Sequence, residues 1–337
     1  MSDTYPRLAA WVSEHLDRQN ARVVRELSGG NSNVTLLVDT DEGQLVLRTP
    51  PAETISPNAH RGVEREARVM SALSGHAPVP AVLGWCPDDS VIGRPFALID
   101  YIDGVSITDK LPAAYCGRDA IDSVGEQLTD ALAAIATAPW SELGLQDFGN
   151  PQDFVKRQIE RWLKVRAAAP VRDLPQLQTL GQWLFDHLPT SSPIGIVHND
   201  YHLDNTLCHA DKPELLAVID WEMATIGDPL ADLGLFLMFW GPRKVDPPGF
   251  RHVQAVTRQV DTVSRQNLAD RWSAKTGFAL DHLDYYLCFS FWRLAAIVEG
   301  AYELYVAGKV DTPYARGLEY DVPALLREAQ LAREGDW

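Results

Sequence analysis

Apolar residues recur along this chain in two rhythms, and the change from one to the other organises it. Leu8, Trp11, Val12 and Leu16 share one helical face, so 5–19 is predicted as an amphipathic opening helix. Short runs then predict strands at 23–27, 34–38 and 44–48, with Ser28-Gly29-Gly30-Asn31-Ser32-Asn33 as a polar loop after the first. Thr40-Asp41-Glu42-Gly43 turns the second strand into the third. After a proline-containing loop at 50–62, Val63, Ala67, Met70 and Leu73 line a helix whose apolar face is bordered by Glu66. Two more strands, 81–86 and 95–100, flank Pro87-Asp88-Asp89.

Beyond Asp100-Tyr101-Ile102-Asp103-Gly104 helical spacing takes over, at 119–137, 151–168, 174–188, 251–275, 283–307 and 313–334. The reading is therefore two lobes, 1–103 and 104–337, as expected of a chain longer than one ordinary core. Within the helical lobe, short apolar runs at 194–197 and 215–219 each end in a polar cluster. These clusters are His198-Asn199-Asp200-Tyr201-His202-Leu203-Asp204-Asn205 and Asp220-Trp221-Glu222. Asp228-Pro229 then marks a helix start.

Composition narrows the partners. Hydrophobic residues make up 46% and charged residues 23%, the profile of a soluble globular protein. A formal charge of -16 argues against general attraction to nucleic acid or an anionic membrane. Cys86, Cys116, Cys208 and Cys288 lack paired metal-ligand spacing and read as reduced core or near-core thiols. Residues 1–11 do not read as a secretory signal, and no apolar run is long enough to span a bilayer, so a cytoplasmic location is expected.

The two polar clusters have a joint chemical logic. Asn205 and Asp220 would supply the hard oxygen ligands that Mg2+ needs, ATP phosphates supplying others. Asp200 would orient a substrate hydroxyl and accept its proton. Taken alone, Asp200 and Asp220 would be loop or cap residues and Asn205 a turn former; their spacing after two apolar runs favours the site. His198 reads as a brace for its loop, and His202 as structural or substrate-adjacent. A metallohydrolase using His198, Asp200 and His202 is the alternative, but it leaves Asn205 and Asp220 unexplained.

These residues resemble the aminoglycoside phosphotransferase and choline kinase-like family, a branch of the protein-kinase-like fold. The likeness runs from Ser28 to Gly234 through the Gly29 to Asn33 loop, Val63-Glu64-Arg65-Glu66, the 98–104 connector and both polar clusters, ending in Gly227-Asp228-Pro229-Leu230-Ala231-Asp232-Leu233. It implies an α+β, bilobal fold with an N-lobe of antiparallel sheet plus helix and a mainly helical C-lobe. It also implies ATP and Mg2+ as cofactors and a small-molecule hydroxyl as acceptor. Asp200 matches the catalytic base, Asn205 and Asp220 the metal ligands, and Glu66 the helix glutamate that pairs with a basic residue on the third strand. Asp100 and Ile102 match connector positions whose backbone carbonyl and amide hold the adenine, Ile99 matches a position lining the adenine pocket, and Asn31 and Ser32 lie in the loop over the nucleotide.

One position departs from the pattern: Arg48 stands where most kinase-like proteins place lysine. A guanidinium still suits both carboxylate and phosphate. Arginine here resembles kinase-like domains fused to certain acyl-CoA dehydrogenases, whose substrates are hydroxyacyl thioesters. It also leaves open a catalytically weak nucleotide-binding regulator. Glu222 takes the place of the glycine that follows the metal aspartate and aromatic residue in protein kinases, which suits a small-molecule kinase. Arg157 and Arg161, in a basic run with Lys156, Lys164 and Arg166, read as a solvated face or as an anion site for the substrate.

Overall fold

The computed structural model describes residues 5–27, 33–51, 59–168, 170–245, 256–259 and 261–337. An opening helix α1 (Leu8–Leu16) precedes strands β1 (Arg22–Glu26), β2 (Val34–Thr40) and β3 (Gly43–Thr49), then helix α2 (Ala59–Leu73) and strand β4 (Val82–Cys86). A one-turn helix α3 (Asp89–Ile92), capped by the Asp88 side chain, occupies the expected turn before β5 (Phe96–Asp100). The five strands form one antiparallel sheet in the order β1-β2-β3-β5-β4. Helix α1 stops at Asp17, short of the predicted 19, because Asp17 and Asn20 both take left-handed φ angles, 52° and 56°.

Alternation along the strands decides what each face meets. Leu45 and Leu47 of β3, with Phe96 and Leu98 of β5, pack outward against Leu8 and Val12 of α1. Val46 and Ile99 point the opposite way, into a core shared with Val69, Met70 and Leu73 of α2. Arg48 is two residues beyond Val46, so the same rhythm sends it to the α2 side. That is where Glu66 waits.

The remainder is mainly helical, as expected. Helices α4 (Arg118–Thr137), α5 (Phe154–Ala168) and α6 (Pro175–Asp186) lead to four short strands. These are β6 (Gly195–Val197), β7 (Thr206–Cys208), β8 (Leu215–Val218) and β9 (Thr225–Gly227), followed by α7 (Leu230–Phe239), α8 (Arg265–Thr276), α9 (Leu283–Val306) and α10 (Pro313–Arg333). The continuous helix predicted at 251–275 is broken: Val256–Gln259 is a 3-10 turn, and α8 starts afresh where the Ser264 hydroxyl accepts from the Asn267 N–H. All ten residues of α7 are buried, making it the central post of the helical region.

The small strands place the chemistry. Strand β6 pairs with β9, and β7 with β8. The segments 198–205 and 219–224 therefore both cross from one hairpin pair to the other, and they run side by side. Gly195 lets β6 lie against α4: a methyl group there would overlap the Ala136 carbonyl. Gly195→Ala is expected to cost about 1–3 kcal/mol, the usual range for overpacking a tight contact. A urea midpoint equal to that of the wild type would show that this approach is not needed.

Cys86, Cys208 and Cys288 are buried, and Cys116 is exposed at the surface, outside the expected core setting. Among the described residues no helix is long and apolar enough to cross a membrane.

Candidate active site

Arg48 and Glu66 meet as the strand rhythm requires. The guanidinium donates from Nε to Glu66 Oε2 at 3.1 Å and from its second nitrogen to Oε1 at 2.9 Å, a two-pronged pair. The other terminal nitrogen donates to Thr35 Oγ1 at 2.6 Å. Burial works against the Arg48 charge, but Glu66 and Asp220 more than offset it and raise its pKa. Burial raises the Glu66 carboxyl, and Arg48 beside it pulls in the opposite direction. Arg48 also lies 3.5 Å from Asp220 Oδ1, so the third strand of one lobe reaches the carboxylate of the other.

Further contacts hold the lobes in register around that meeting point. Arg65, one residue before Glu66, donates to the Phe148 and Ala224 carbonyls and lies over the Phe148 ring. Val105, just past the connector, exchanges backbone hydrogen bonds with Cys208 at the end of β7. Gly104 permits this approach, since a methyl group there would press on the Cys208 carbonyl. Asn33 Nδ2 donates to Glu222 Oε2 at 3.4 Å, linking the start of β2 to the loop after Asp220.

Around Asp200 the hydrogen bonds are dense. Asn205 Nδ2 donates to the Asp200 carbonyl at 2.9 Å and to Oδ2 at 2.8 Å. The Asn205 carbonyl in turn accepts from the Ile219 N–H at 2.9 Å, which ties the residue before Asp220 to the first loop. These bonds engage the amide nitrogen of Asn205 and leave its Oδ1 as the hard donor. Together with the Asp220 carboxylate, this donor set fits Mg2+. Asn199 and Asp220 adopt left-handed φ angles of 69° and 65°, one in each of the two neighbouring loops.

His198 is fully buried, with both ring nitrogens engaged: Nε2 donates to the Ile219 carbonyl at 3.0 Å and Nδ1 accepts from the Asp200 N–H at 3.3 Å. Burial lowers its pKa, in keeping with this neutral tautomer. It braces the loops, and neither nitrogen is open to a metal. That removes one leg of the hydrolase reading. Among the described residues no group of three or more His, Cys, Asp or Glu side chains is placed to hold a metal ion.

His202 lies buried between Asp200, at 3.3 Å, and Asp204, at 3.4 Å, with the Phe239 ring on its edge. Burial opposes its charge, but the two carboxylates overcome this and push its pKa up to about 9. Burial likewise opposes the Asp200 charge, and His202, His198 and Asn205 outweigh it, holding the carboxyl at about 2. The two side chains thus form an ion pair, one half of it exposed to water. Since the folded value lies above the ordinary histidine value of 6.5, the His202 contribution is complete below pH 6.5 and is lost as pH rises through about 9. The Asp200 contribution is present above 3.8 and is lost as pH falls towards about 2. His202→Gln is expected to cost about 1–2 kcal/mol near pH 6, after allowing for solvent at Asp200, and to approach the wild type near pH 10. Urea midpoints across that range check it.

The remaining expected site residues are distributed unevenly. Ile99 is buried at the inner face of the sheet, and Asp100 ends β5 with its N–H on the Ala81 carbonyl. The Ile102 carbonyl accepts from the Gly104 N–H. Neither bond uses the Asp100 carbonyl or the Ile102 N–H, the groups assigned to adenine. Asn31 and Ser32 lie outside the described residues. Arg157 and Arg161 are exposed on α5, the first turned to the Asn150 carbonyl and the second beside the Trp162 ring. Arg166 from the same run is instead paired with Glu303 of α9 at 2.7 Å.

Two buried residues behind the loop carry more of the site than sequence reasoning gave them. Asp232, read as a first-turn charge of α7, accepts from the backbone N–H of His198 at 2.5 Å and of Asn199 at 2.9 Å. Burial pushes its pKa up to about 7 against those donors and Arg293. Arg293, from the middle of α9, donates to the Asn199 carbonyl at 2.8 Å and its Oδ1 at 3.3 Å. The sequence signal for Arg293 is the one charge inside the mainly apolar stretch Phe289-Ser290-Phe291-Trp292-Arg293-Leu294-Ala295-Ala296.

The fold and the paired loops define a kinase-like phosphotransferase class, and comparison with known proteins agrees. The model of the phosphotransferase enzyme family (APH) matches residues 23–263, and the chain belongs to that family. It is 35% identical over 292 residues to acyl-CoA dehydrogenase family member 10 of Mus musculus, covering 85% of this chain and 27% of that protein. It is 32% identical over 291 residues to acyl-CoA dehydrogenase family member 11 of Gallus gallus, covering 85% and 37%. The chain thus spans well under half the length of these relatives, and the expected likeness to kinase-like domains of such proteins is met. Among solved structures, a Ralstonia eutropha protein provisionally named as an aminoglycoside phosphotransferase is 28% identical with a TM-score of 0.83, covering 99% of both chains. The GDP complex of aminoglycoside 2'-phosphotransferase-IIIa shares the fold at 16% identity and a TM-score of 0.65, covering 97% of this chain and 98% of that one.

Proposed function

We propose that this protein transfers the γ-phosphoryl group of ATP to a hydroxyl of a small molecule, in a Mg2+-dependent reaction, with Asp200 as the base. The observation that carries the reading is the convergence on Asp220. Arg48, held by Glu66, reaches it from the sheet, while Asn205, bonded to Asp200, adjoins it from the catalytic loop. Cations for the phosphates and a base for the acceptor therefore meet at one place.

Asp200 orients the acceptor O–H towards the terminal phosphorus. As the new O–P bond forms and the bond to the ADP oxygen breaks, the hydroxyl proton passes to an Asp200 carboxylate oxygen. A carboxylate held at about 2 is a weak base, which suits a loose transition state in which the proton moves late. Arg48 supplies positive charge on the phosphate side, and Asn205 Oδ1 with Asp220 would hold the metal. Bound there, Mg2+ supplies charge neutralisation across the phosphate oxygens.

For the acceptor we propose a hydroxyacyl thioester. Its support is the pair of acyl-CoA dehydrogenase relatives and the arginine at position 48. An ADP-release screen with Mg-ATP should respond to hydroxyacyl thioesters more than to kanamycin, choline or simple sugars. Stimulation by an aminoglycoside alone would move the acceptor to that class, and no stimulation by any hydroxyl compound would favour the nucleotide-binding regulator.

A further inference from the structure

We propose that Arg293 is a positioning residue that aims Asp200, by fixing the backbone of Asn199 from the side opposite Asp232. The inference rests on the reading of Asp200 as the base. Asn199 immediately precedes Asp200, and its two flanking peptide groups determine where Asp200 points. Asp232 takes the N–H of one of those groups, at 2.9 Å. Arg293 takes the carbonyl of the other, at 2.8 Å. With both peptide planes held, φ at Asn199 is set at 69°, in the left-handed region that asparagine tolerates better than most residues.

The side chain of Asn199 extends the same device. Its Oδ1 accepts from Arg293 at 3.3 Å, while its Nδ2 donates to the Met223 carbonyl at 2.9 Å. Met223 lies three residues past Asp220, so a single asparagine ties the base loop to the metal loop with Arg293 behind it. Arg293 and Asp232 are 7% and 1% exposed, so each stabilises the other's charge where water does not reach. The attraction of Asp232 and Asp200 for the guanidinium works against its burial. Because α9 packs along both α7 and α10, the guanidinium is carried on a rigid support.

The test uses the full chain as Arg293→Met, Arg293→Lys and Asn199→Gly. Amide hydrogen exchange without ligand is read over 198–205 and, for reference, over the five-stranded sheet and α10. In Arg293→Met the loop amides should exchange at least about tenfold faster while the reference regions stay within about twofold. Turnover of Mg-ATP with water as acceptor should fall about a hundredfold with Mg-ADP affinity within about threefold, the pattern of lost positioning. Arg293→Lys, retaining charge and a donor, should recover part of both. Unchanged loop exchange, or acceleration spread equally over the reference regions, overturns the proposal.

If Arg293→Met does not fold, Arg293→Lys decides: loop exchange above the wild type with lowered turnover at unchanged Mg-ADP affinity supports the device, and wild-type exchange and turnover overturn it. Asn199→Gly takes the positive φ without strain and keeps the backbone bonds to Arg293 and Asp232, so it reads the side-chain tie alone. A wild type that binds or turns over no Mg-ATP would sink the phosphotransferase reading, while the exchange comparison would still decide the role of Arg293.

Discussion

Replacing Asp200 by alanine is expected to lower phosphoryl transfer by about 10²–10⁴-fold, the range for loss of a general base, with Mg-ATP affinity within a few-fold of the wild type. The carboxylate is 47% exposed on its side chain, so little packing is lost. Asp200→Asn is the sharper variant. It keeps a hydrogen-bond acceptor for Asn205 while removing both the proton acceptor and the charge that faces His202. Equal loss in the two variants assigns the effect to the carboxylate. A wild-type rate in either would remove Asp200 from the chemistry.

The second large effect concerns Glu66, whose side chain is 4% exposed against 12% for Arg48. Glu66→Ala should destabilise the fold by about 3–5 kcal/mol, because it strands a buried guanidinium. Replacing both partners, as Arg48→Met with Glu66→Leu, should recover much of that loss, since a buried pair is costly to break and cheap to replace by apolar groups of similar volume. The double variant should nevertheless lose nucleotide turnover, because Arg48 also faces Asp220. Urea midpoints with turnover measured alongside separate the two roles. If the double variant were both stable and fully active, Arg48 would be structural.

Much of this was legible along the chain because the signals are local. Strand alternation marks Val46 and Arg48 as sharing a face, and helical spacing sets Glu66 beside Val63, Ala67 and Met70. The apolar runs before His198 and before Asp220 are short strands, and the polar residues following them do form neighbouring loops. What stayed hidden is non-local. Asp232 looks like any acidic residue in a first helical turn, and only the folding of α7 beneath the 198–205 loop shows that its carboxylate takes two backbone N–H groups. Arg293 is 94 residues from Asn199, and no periodicity relates them. The break before α8 is hidden for a different reason: the sequence there still carries helical spacing, and the Ser264 cap acts through one hydroxyl bond. The basic run on α5 likewise has no sequence feature that separates Arg166, which turns inward to Glu303, from Arg157 and Arg161.

The central claim is that the site formed by Asp200, Asn205 and Asp220 moves a phosphoryl group from ATP to a carbon-bound hydroxyl. Phosphorus NMR of the full chain with Mg-ATP and a hydroxyacyl thioester tests it most directly, because ADP and any phosphate monoester are seen together. One monoester is expected for each ADP, with both signals lost in Asp200→Ala. ADP accompanied only by inorganic phosphate, with every hydroxyl acceptor tried, or equal monoester formation by Asp200→Ala, would contradict it.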